Sequence, residues 1–178
     1  MMNDDTILIR ALEPEDLEFL YQWENNMDLW EVSDTLTPFS HFTLKKYIEN
    51  AHRDIYETKQ VRLMIADKET EKPVGLIDIY DFDPYHLRAG LGIMIHDSDD
   101  RKKGYATNAI KLINDYCFET LGLNQVYSSV PSSNLASQQL FKSLGFTQTG
   151  YRKQWLKRGK EWDDVIYFQL LSADWNKA

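Results

Sequence analysis

The sequence predicts a mixed α/β domain of the α+β kind that takes in residues 1–178 as one unit, and three observations carry that expectation. Apolar residues alternate with period two in some short segments and recur at spacings of three and four in others, so strands and helices are interleaved along the chain. The 178 residues, 43% of them hydrophobic, suffice for one core and are too few for two independent ones. No repeat, low-complexity tract or linker interrupts the pattern.

Residues 6–12 read as the first strand, with Ile7 and Ile9 on one side. Pro14 opens a helix carrying Leu17, Leu20, Tyr21 and Trp23. The pattern breaks from Asn25 and Asn26 through Thr35, Thr37 and Pro38, where a substrate loop is expected, and a second helix is expected over residues 43–57. Strands over 61–66 and 74–82 flank a turn at Lys72-Pro73, Asp83-Pro84 makes the next turn, and 88–96 is a further strand. After the acidic residues 97–100 and the run Arg101-Lys102-Lys103-Gly104, a long helix places Ala106, Ala109, Ile110, Ile113, Tyr116 and Cys117 on one face, and Gly122 stops it. Residues 125–130 form a strand, and Asn134 begins a helix with Leu140, Phe141 and Leu144 before Gly145. Two last strands, 146–156 and 163–171, surround Arg158-Gly159-Lys160. The order is β-α-α-β-β-β-α-β-α-β-β.

Charge and composition exclude several classes of function. Lys and Arg total 20 against 28 Asp and Glu, a net charge of −8, which is the wrong sign for a nucleic-acid surface, so no nucleic-acid partner is expected. No apolar run approaches the roughly 18 residues of a membrane span, and the opening residues are polar and acidic, so the expectation is a cytoplasmic protein with no membrane partner. The single cysteine, Cys117, lies on an apolar helix face and reads as core. His41, His52, His86 and His96 are scattered without ligand spacing, so no metal is expected. Homo-oligomerisation stays open, because edge strands and dimer faces look alike in a sequence.

The most informative run is Arg101-Lys102-Lys103-Gly104-Tyr105-Ala106, between a strand and a long helix. Free amides at a helix N-terminus bind an anion, the helix dipole favours it, and a glycine lets it approach the backbone closely. The run is neither a P-loop nor a G-x-G-x-x-G turn, and alone it reads equally as an exposed basic turn. A second run, Asn134-Leu135-Ala136-Ser137-Gln138-Gln139-Leu140-Phe141-Lys142-Ser143-Leu144-Gly145-Phe146, follows one strand after that helix.

Together the two runs resemble the paired motifs R/Q-x-x-G-x-G/A and N-x-x-A/S-x-x-L-Y/F-x-x-x-G-F of the GNAT acetyltransferase superfamily, and the element order is similar as well. The closing Trp162-Asp163-Asp164-Val165-Ile166-Tyr167 and Ser172-Ala173-Asp174-Trp175 resemble the ribosomal-protein N-terminal acetyltransferases. Asn25-Asn26 and Val74-Gly75-Leu76 are shared with spermidine acetyltransferases. The resemblance implies a GNAT-like, mostly antiparallel seven-stranded sheet with about four flanking helices, whose central parallel strands, ending at His96 and Val130, splay apart to hold acetyl-CoA. It implies that the pantetheine arm pairs with Ile93, Met94 and Ile95. The pyrophosphate then sits on Arg101, Lys102, Lys103, Gly104, Tyr105 and Ala106, with Asn134 and Phe141 completing the cofactor site and no metal taking part.

The expected function is transfer of an acetyl group from acetyl-CoA to a primary amine, either a peptide or protein N-terminus or a small amine such as a polyamine, by direct attack in a ternary complex. An alkylammonium of pKa about 10.4 gives up its proton at pH 7 at a cost of roughly 4 to 5 kcal/mol, so a base is useful. Asp78 and Asp81 on the 74–82 strand are the candidates; three residues apart they face opposite sides, and Asp81 is favoured as nearer the strand end. Two positions depart from the family pattern: Gly90 stands where many relatives carry glutamate, and Phe141 where many carry the tyrosine credited as general acid. Ser137, one turn earlier, has a hydroxyl that could protonate sulfur, and solvent is the alternative. These departures motivate a second reading, a CoA-binding regulatory module without significant turnover, and a third is an α/β interaction domain whose basic turn holds another anion. The acceptor segment 30–35 holds only the carboxylates Glu31 and Asp34, which weakens a polyamine acceptor, while Trp23, Trp30, Phe39, Phe42 and Trp155 suit a peptide groove.

Overall fold

The computed structural model describes residues 1–27, 29–30, 35–101 and 103–175. One sheet of eight strands runs through it: β1 (Met2–Asn3), β2 (Ile7–Arg10), β3 (Val61–Asp67), β4 (Pro73–Asp83), β5 (Arg88–Ile95), β6 (Gln125–Pro131), β7 (Thr147–Arg158) and β8 (Glu161–Leu171), in the spatial order β1-β2-β3-β4-β5-β6-β8-β7. The strand pairs are antiparallel except β5 with β6. The eighth strand is a correction to the expected seven: β1 is only two residues long, too short to show a periodicity, and it is pinned by pairing Met2 with Ile9.

The helices are α1 (Leu17–Glu24), entered through a short 3₁₀ turn at Pro14–Asp16, α2 (His41–Glu49), α3 (Ile55–Thr58), α4 (Tyr105–Asp115), α5 (Leu135–Ser143) and α6 (Ser172–Trp175). The long second helix expected over 43–57 is two helices. Asn50 ends α2, with its side-chain amide and its backbone N–H both donating to the Lys46 carbonyl, and Asp54 restarts the chain as an N-cap that accepts from Tyr56 N at 2.6 Å. Beyond Asp115 the helix continues as a π-helical turn, Tyr116–Thr120, and Gly122 leaves it at φ 64°.

Two apolar layers hold the sheet. On one face α4 and α5 cover Ile77, Leu91, Val126, Val130 and Phe168; on the other α1 and α2 bring Leu20, Trp23, Leu44 and Ile48 onto Met64 and Leu76. Cys117 belongs to the first layer, fully buried, and burial pushes its thiol up to about 12, so it is unreactive core as the helix pattern predicts.

The parallel pairing of β5 with β6 covers Arg88↔Gln125, Ala89↔Val126 and Gly90↔Tyr127. Beyond Gly90 the strands part, and Ser128 Oγ donates to the Leu91 carbonyl at 2.9 Å, satisfying a backbone acceptor that the ladder leaves behind. The ring of Tyr80, from β4, lies directly over Gly90. A Cβ built at Gly90 would fall 2.2 Å from the Tyr80 ring, closer than any atoms pack. Glycine stands here because an aromatic side chain occupies the space that a side chain at 90 would need.

Gly90→Ala is expected to destabilise the protein by about 1 to 3 kcal/mol through overpacking. In the Tyr80→Ala background the same change should cost less than half as much, because the clashing ring is gone. Thermal unfolding of the four proteins in this cycle checks the coupling, and additive effects would show that the ring moves aside without strain.

Candidate active site

The splay opens onto a cavity of about 430 Å³ between β5, α4 and α5. Ile93, Met94 and Ile95 form its strand wall, Arg101, Gly104, Tyr105 and Ala106 its helix-start wall, and Asn134 and Ser137 its far side. The structure thus brings most of the sequence-predicted cofactor residues around one space. Gly104 is the N-cap of α4 at φ 87°, a left-handed conformation that β-branched residues do not adopt, and no side chain caps that helix. By contrast the N-caps of α2, α3 and α5 each accept through Ser40, Asp54 and Asn134. The first amides of α4 therefore face the cavity with the positive end of the helix dipole behind them.

The cations of the motif are arranged less simply. Arg101 lies over the end of β5, with Nε donating to the Ile95 carbonyl at 3.3 Å and a terminal nitrogen to the His96 carbonyl at 3.4 Å. Lys103 is outside the cavity wall, its Nζ 2.7 Å from Asp100 Oδ1. Lys102 lies outside the described residues. An anion here meets chiefly backbone N–H groups, and the lysine charge is largely answered by Asp100. The helix start is fixed from behind: Tyr105 Oη donates to Asp67 Oδ2 at 2.7 Å, which pushes the phenol up to about 12 and, with hydrogen bonds from Thr70, holds the Asp67 carboxyl at about 2.

Phe141 corrects the sequence reading. It does not face the cavity; it is 2% exposed, its ring 5.0 Å from Phe146 edge-on and 6.2 Å from Phe168 in a stack. The apolar face of α5 turns it into the core, and Leu140 takes the cavity wall instead. Ser137 is at the cavity, its backbone N–H donating to the Asn134 carboxamide oxygen at 3.1 Å.

A second cavity, about 500 Å³, meets the first at Ile93 and Met94, and it is lined by Trp23, Glu24, Phe39, Arg62, Asp78 and Gly92, among others. Thr35, Leu36 and Thr37 from the connection between α1 and α2 close it, in keeping with the expected substrate loop; Glu31 and Asp34 lie outside the described residues. Asp78 is opposite Gly92 in the β4–β5 ladder and so stands beside the strand that walls the first cavity. Arg62, opposite Asp78 on β3, grips it with two hydrogen bonds, Nε to Oδ1 at 2.7 Å and a terminal nitrogen to Oδ2 at 2.9 Å, while its other terminal nitrogen donates to Glu24. Burial lowers the Arg62 pKa, but the hydrogen bonds and charge of Asp78 and the charge of Glu24 outweigh it and hold the guanidinium above its usual value. Two carboxylates and one guanidinium leave this cavity with an excess negative charge.

Asp81 is elsewhere. The β4–β5 register slips between Tyr80 and Asp83, Asp81 takes φ 50°, and its carboxylate accepts from Tyr127 Oη at 3.4 Å in a separate recess with Arg88, Gln125 and Tyr167. The reading that favoured Asp81 for its place near the strand end is therefore reversed: the bulge turns it from the cleft, and Asp78 is the carboxylate there. The sequence reading missed Glu24, Arg62 and Tyr80. Tyr80 reaches Ser129 across the parting strands, and burial raises its phenol while hydrogen bonds from Ser129 oppose the shift. Only the pairing of β3 with β4 brings Arg62 to Asp78, so no local motif announces it. Among the described residues no group of His, Cys, Asp and Glu could hold a metal ion, and no helix is long and apolar enough to cross a membrane.

Comparison with known proteins agrees with this architecture. Residues 6–147 match the model of the acetyltransferase (GNAT) domain. The spermidine N(1)-acetyltransferase of Escherichia coli (strain K12) is 29% identical over 153 residues, spanning 84% of this chain and 77% of that protein. YdaF of Bacillus subtilis (strain 168), provisionally named a ribosomal N-acetyltransferase, is 28% identical over 178 residues, spanning 97% of this chain and 94% of that protein. The crystal structure of spermidine N-acetyltransferase from Vibrio cholerae in complex with CoA and spermine superposes with a TM-score of 0.86 at 23% identity, covering 97% of this chain and 99% of that one. With the family model spanning most of the sequence and the splayed strands in place, the chain belongs to the GNAT family, the acetyl-CoA-dependent N-acetyltransferases.

Proposed function

We propose that this protein acetylates a primary amine that enters the Asp78 cavity and meets acetyl-CoA where the two cavities join, at Ile93 and Met94. The observation that carries the reading is that junction: an anion-binding helix start on one side and a net-negative, aromatic-walled cavity on the other share one strand segment. Acetyl-CoA supplies an activated thioester, and the free edge of β5 beyond Gly90 with the open amides of α4 fits its extended arm and its pyrophosphate.

The protein's own groups then divide the work. Glu24 and Asp78 attract an ammonium, and the cavity can bind it only against the pull of Arg62 on the same carboxylates. Asp78 accepts the ammonium proton, directly or through water, and frees the amine for attack. Arg62 fixes the carboxylate in one orientation, which shortens the search for a productive geometry. Ser137, on the opposite wall, is placed to relay a proton from water to the departing thiolate, taking one on its oxygen as it gives one up; with a thiol pKa of about 8.5 the thiolate is already an undemanding leaving group. Phe141 takes no part in proton transfer.

Three variants test these roles. Gly104→Val is expected to weaken acetyl-CoA binding at least about tenfold by calorimetry. A valine Cβ at that position meets no atom within 4 Å, so the cost comes from the left-handed backbone and the folded core survives. Unchanged affinity would put the pyrophosphate elsewhere. Asp78→Asn should lower kcat/KM about 10² to 10³-fold near pH 7, with the deficit shrinking as pH rises and free amine accumulates, whereas Asp81→Asn should stay within about twofold. Equal effects of the two, read by thiol release, would remove Asp78 as the base. Ser137→Ala should cost about tenfold in kcat if it protonates sulfur, roughly 1.4 kcal/mol of barrier, and nothing if solvent does so.

A further inference from the structure

Arg62 borders two spaces. Next to the acceptor cavity of about 500 Å³ lies a smaller one of about 340 Å³ beneath α1 and α2, and the two share Glu24, Phe39, Arg62 and Asp78 in their walls. Among the described residues, Glu24, Arg62 and Asp78 are the only charged side chains in either lining. The rest of the smaller space is mainly apolar, with Leu20, Leu44 and Tyr47 in its walls. The guanidinium therefore stands between the two spaces, tied to the sheet through Asp78 and to α1 through Glu24.

The place between Glu24 and Asp78 is where an ammonium would find two counter-ions, and the chain has put its own cation there. Both oxygens of Asp78 accept from Arg62, and so does Glu24. The three groups sum to one negative charge, which one incoming ammonium neutralises. A second would stand unpaired where the Glu24 side chain is only 10% exposed and that of Asp78 29%. The register brings an acceptor's second charge to this point. Met94 pairs with Leu76 and Gly92 with Asp78, so the row of Arg62 and Asp78 lies two residues, about 7 Å, along the sheet from the Met94 row at the junction. With bonds of about 1.5 Å, a chain of about five carbons spans that distance.

We propose that Arg62 sets the acceptor class: it occupies the position of a second substrate cation, so that the amine acetylated carries one positive charge and an uncharged, largely apolar remainder, and diamines are turned away. This rests on the acetyl-transfer reading of the cleft. A repulsive group built against the wrong ligand is an effective source of specificity, and a guanidinium keeps its charge throughout the working pH range. The apolar walls beyond it, Leu20, Leu44 and Tyr47, give an uncharged remainder the burial that a second ammonium would forfeit.

Hexylamine and cadaverine (1,5-diaminopentane) test this, because they match in length and one ends in a methyl where the other ends in an ammonium. By thiol release, kcat/KM should be at least about tenfold higher for hexylamine. Arg62→Met, which leaves Glu24 and Asp78 unopposed, should shift the ratio at least about tenfold toward cadaverine, and Glu24→Gln should shift it further toward hexylamine. Arg62→Lys, which keeps the charge but not the two-point grip on Asp78, should lower turnover of both amines and preserve the preference. Damage to the geometry of the cleft would move both amines together, whereas loss of the cation and loss of the anion should move their ratio in opposite senses. If Arg62→Met does not fold, the Glu24→Gln and Arg62→Lys proteins decide. A wild-type ratio at or below one overturns the proposal, as does a preference for hexylamine that Arg62→Met leaves in place, since apolar walls alone would then select. Thiol release with a peptide bearing a free N-terminal serine tells such a failure apart from failure of acetyl transfer itself. If neither small amine is turned over, calorimetry with CoA present compares them: tighter binding of hexylamine that Arg62→Met reverses supports the proposal, and equal binding or none overturns it.

Discussion

Everything functional in this fold depends on how early the parallel ladder between β5 and β6 ends. Three residue pairs are enough to register the two halves of the sheet, and the next carbonyl, that of Leu91, is already taken by a serine side chain instead of a strand. Had the ladder continued, its backbone groups would have been satisfied and both cavities sealed from one another. Because it stops, a backbone edge lies open beside Ile93 and Met94, and that opening is where an extended molecule can add itself to the sheet.

An acidic protein that binds an anion needs local arrangements that its net charge does not show. Here the arrangement is mostly backbone. The motif's Arg101 is turned onto carbonyls and Lys103 onto Asp100, leaving the uncapped start of α4 as the principal anion site. Across the junction the logic is inverted: Glu24 and Asp78 face the acceptor side, with Arg62 between them to prevent two carboxylates from standing unpaired in a half-buried place. The two cavities differ in sign, which suits an anionic cosubstrate on one side and a cationic amine on the other.

Much of this was legible in the sequence because it is local. Helix and strand periods, the turn glycines and the spacing of Gly104 from Asn134 are properties of short windows, and they located the strand order after β1 and the cofactor cavity. What escaped is what folding brings together from afar. Arg62 and Asp78 are ordinary strand residues until β3 pairs with β4. Strict alternation makes Asp81 the better-placed carboxylate, because a bulge cannot be counted from alternation. Phe141 sits at the position of a family tyrosine, yet its neighbours Phe146 and Phe168, one across a turn and the other two strands later in sequence, draw it inward.

The stacking of Tyr80 on Gly90 has a consequence for descent. A side chain at 90 and a ring at 80 in this pose exclude one another, so a lineage with glutamate at the first position cannot reach this arrangement by either substitution alone without an overcrowded or hollow intermediate. The two sites must change hands together. Among homologues, bulky residues at 90 should therefore coincide with smaller or turned-away side chains at 80, and the pair would divide the family into branches that place a charged group, or an aromatic one, at the point where the strands part.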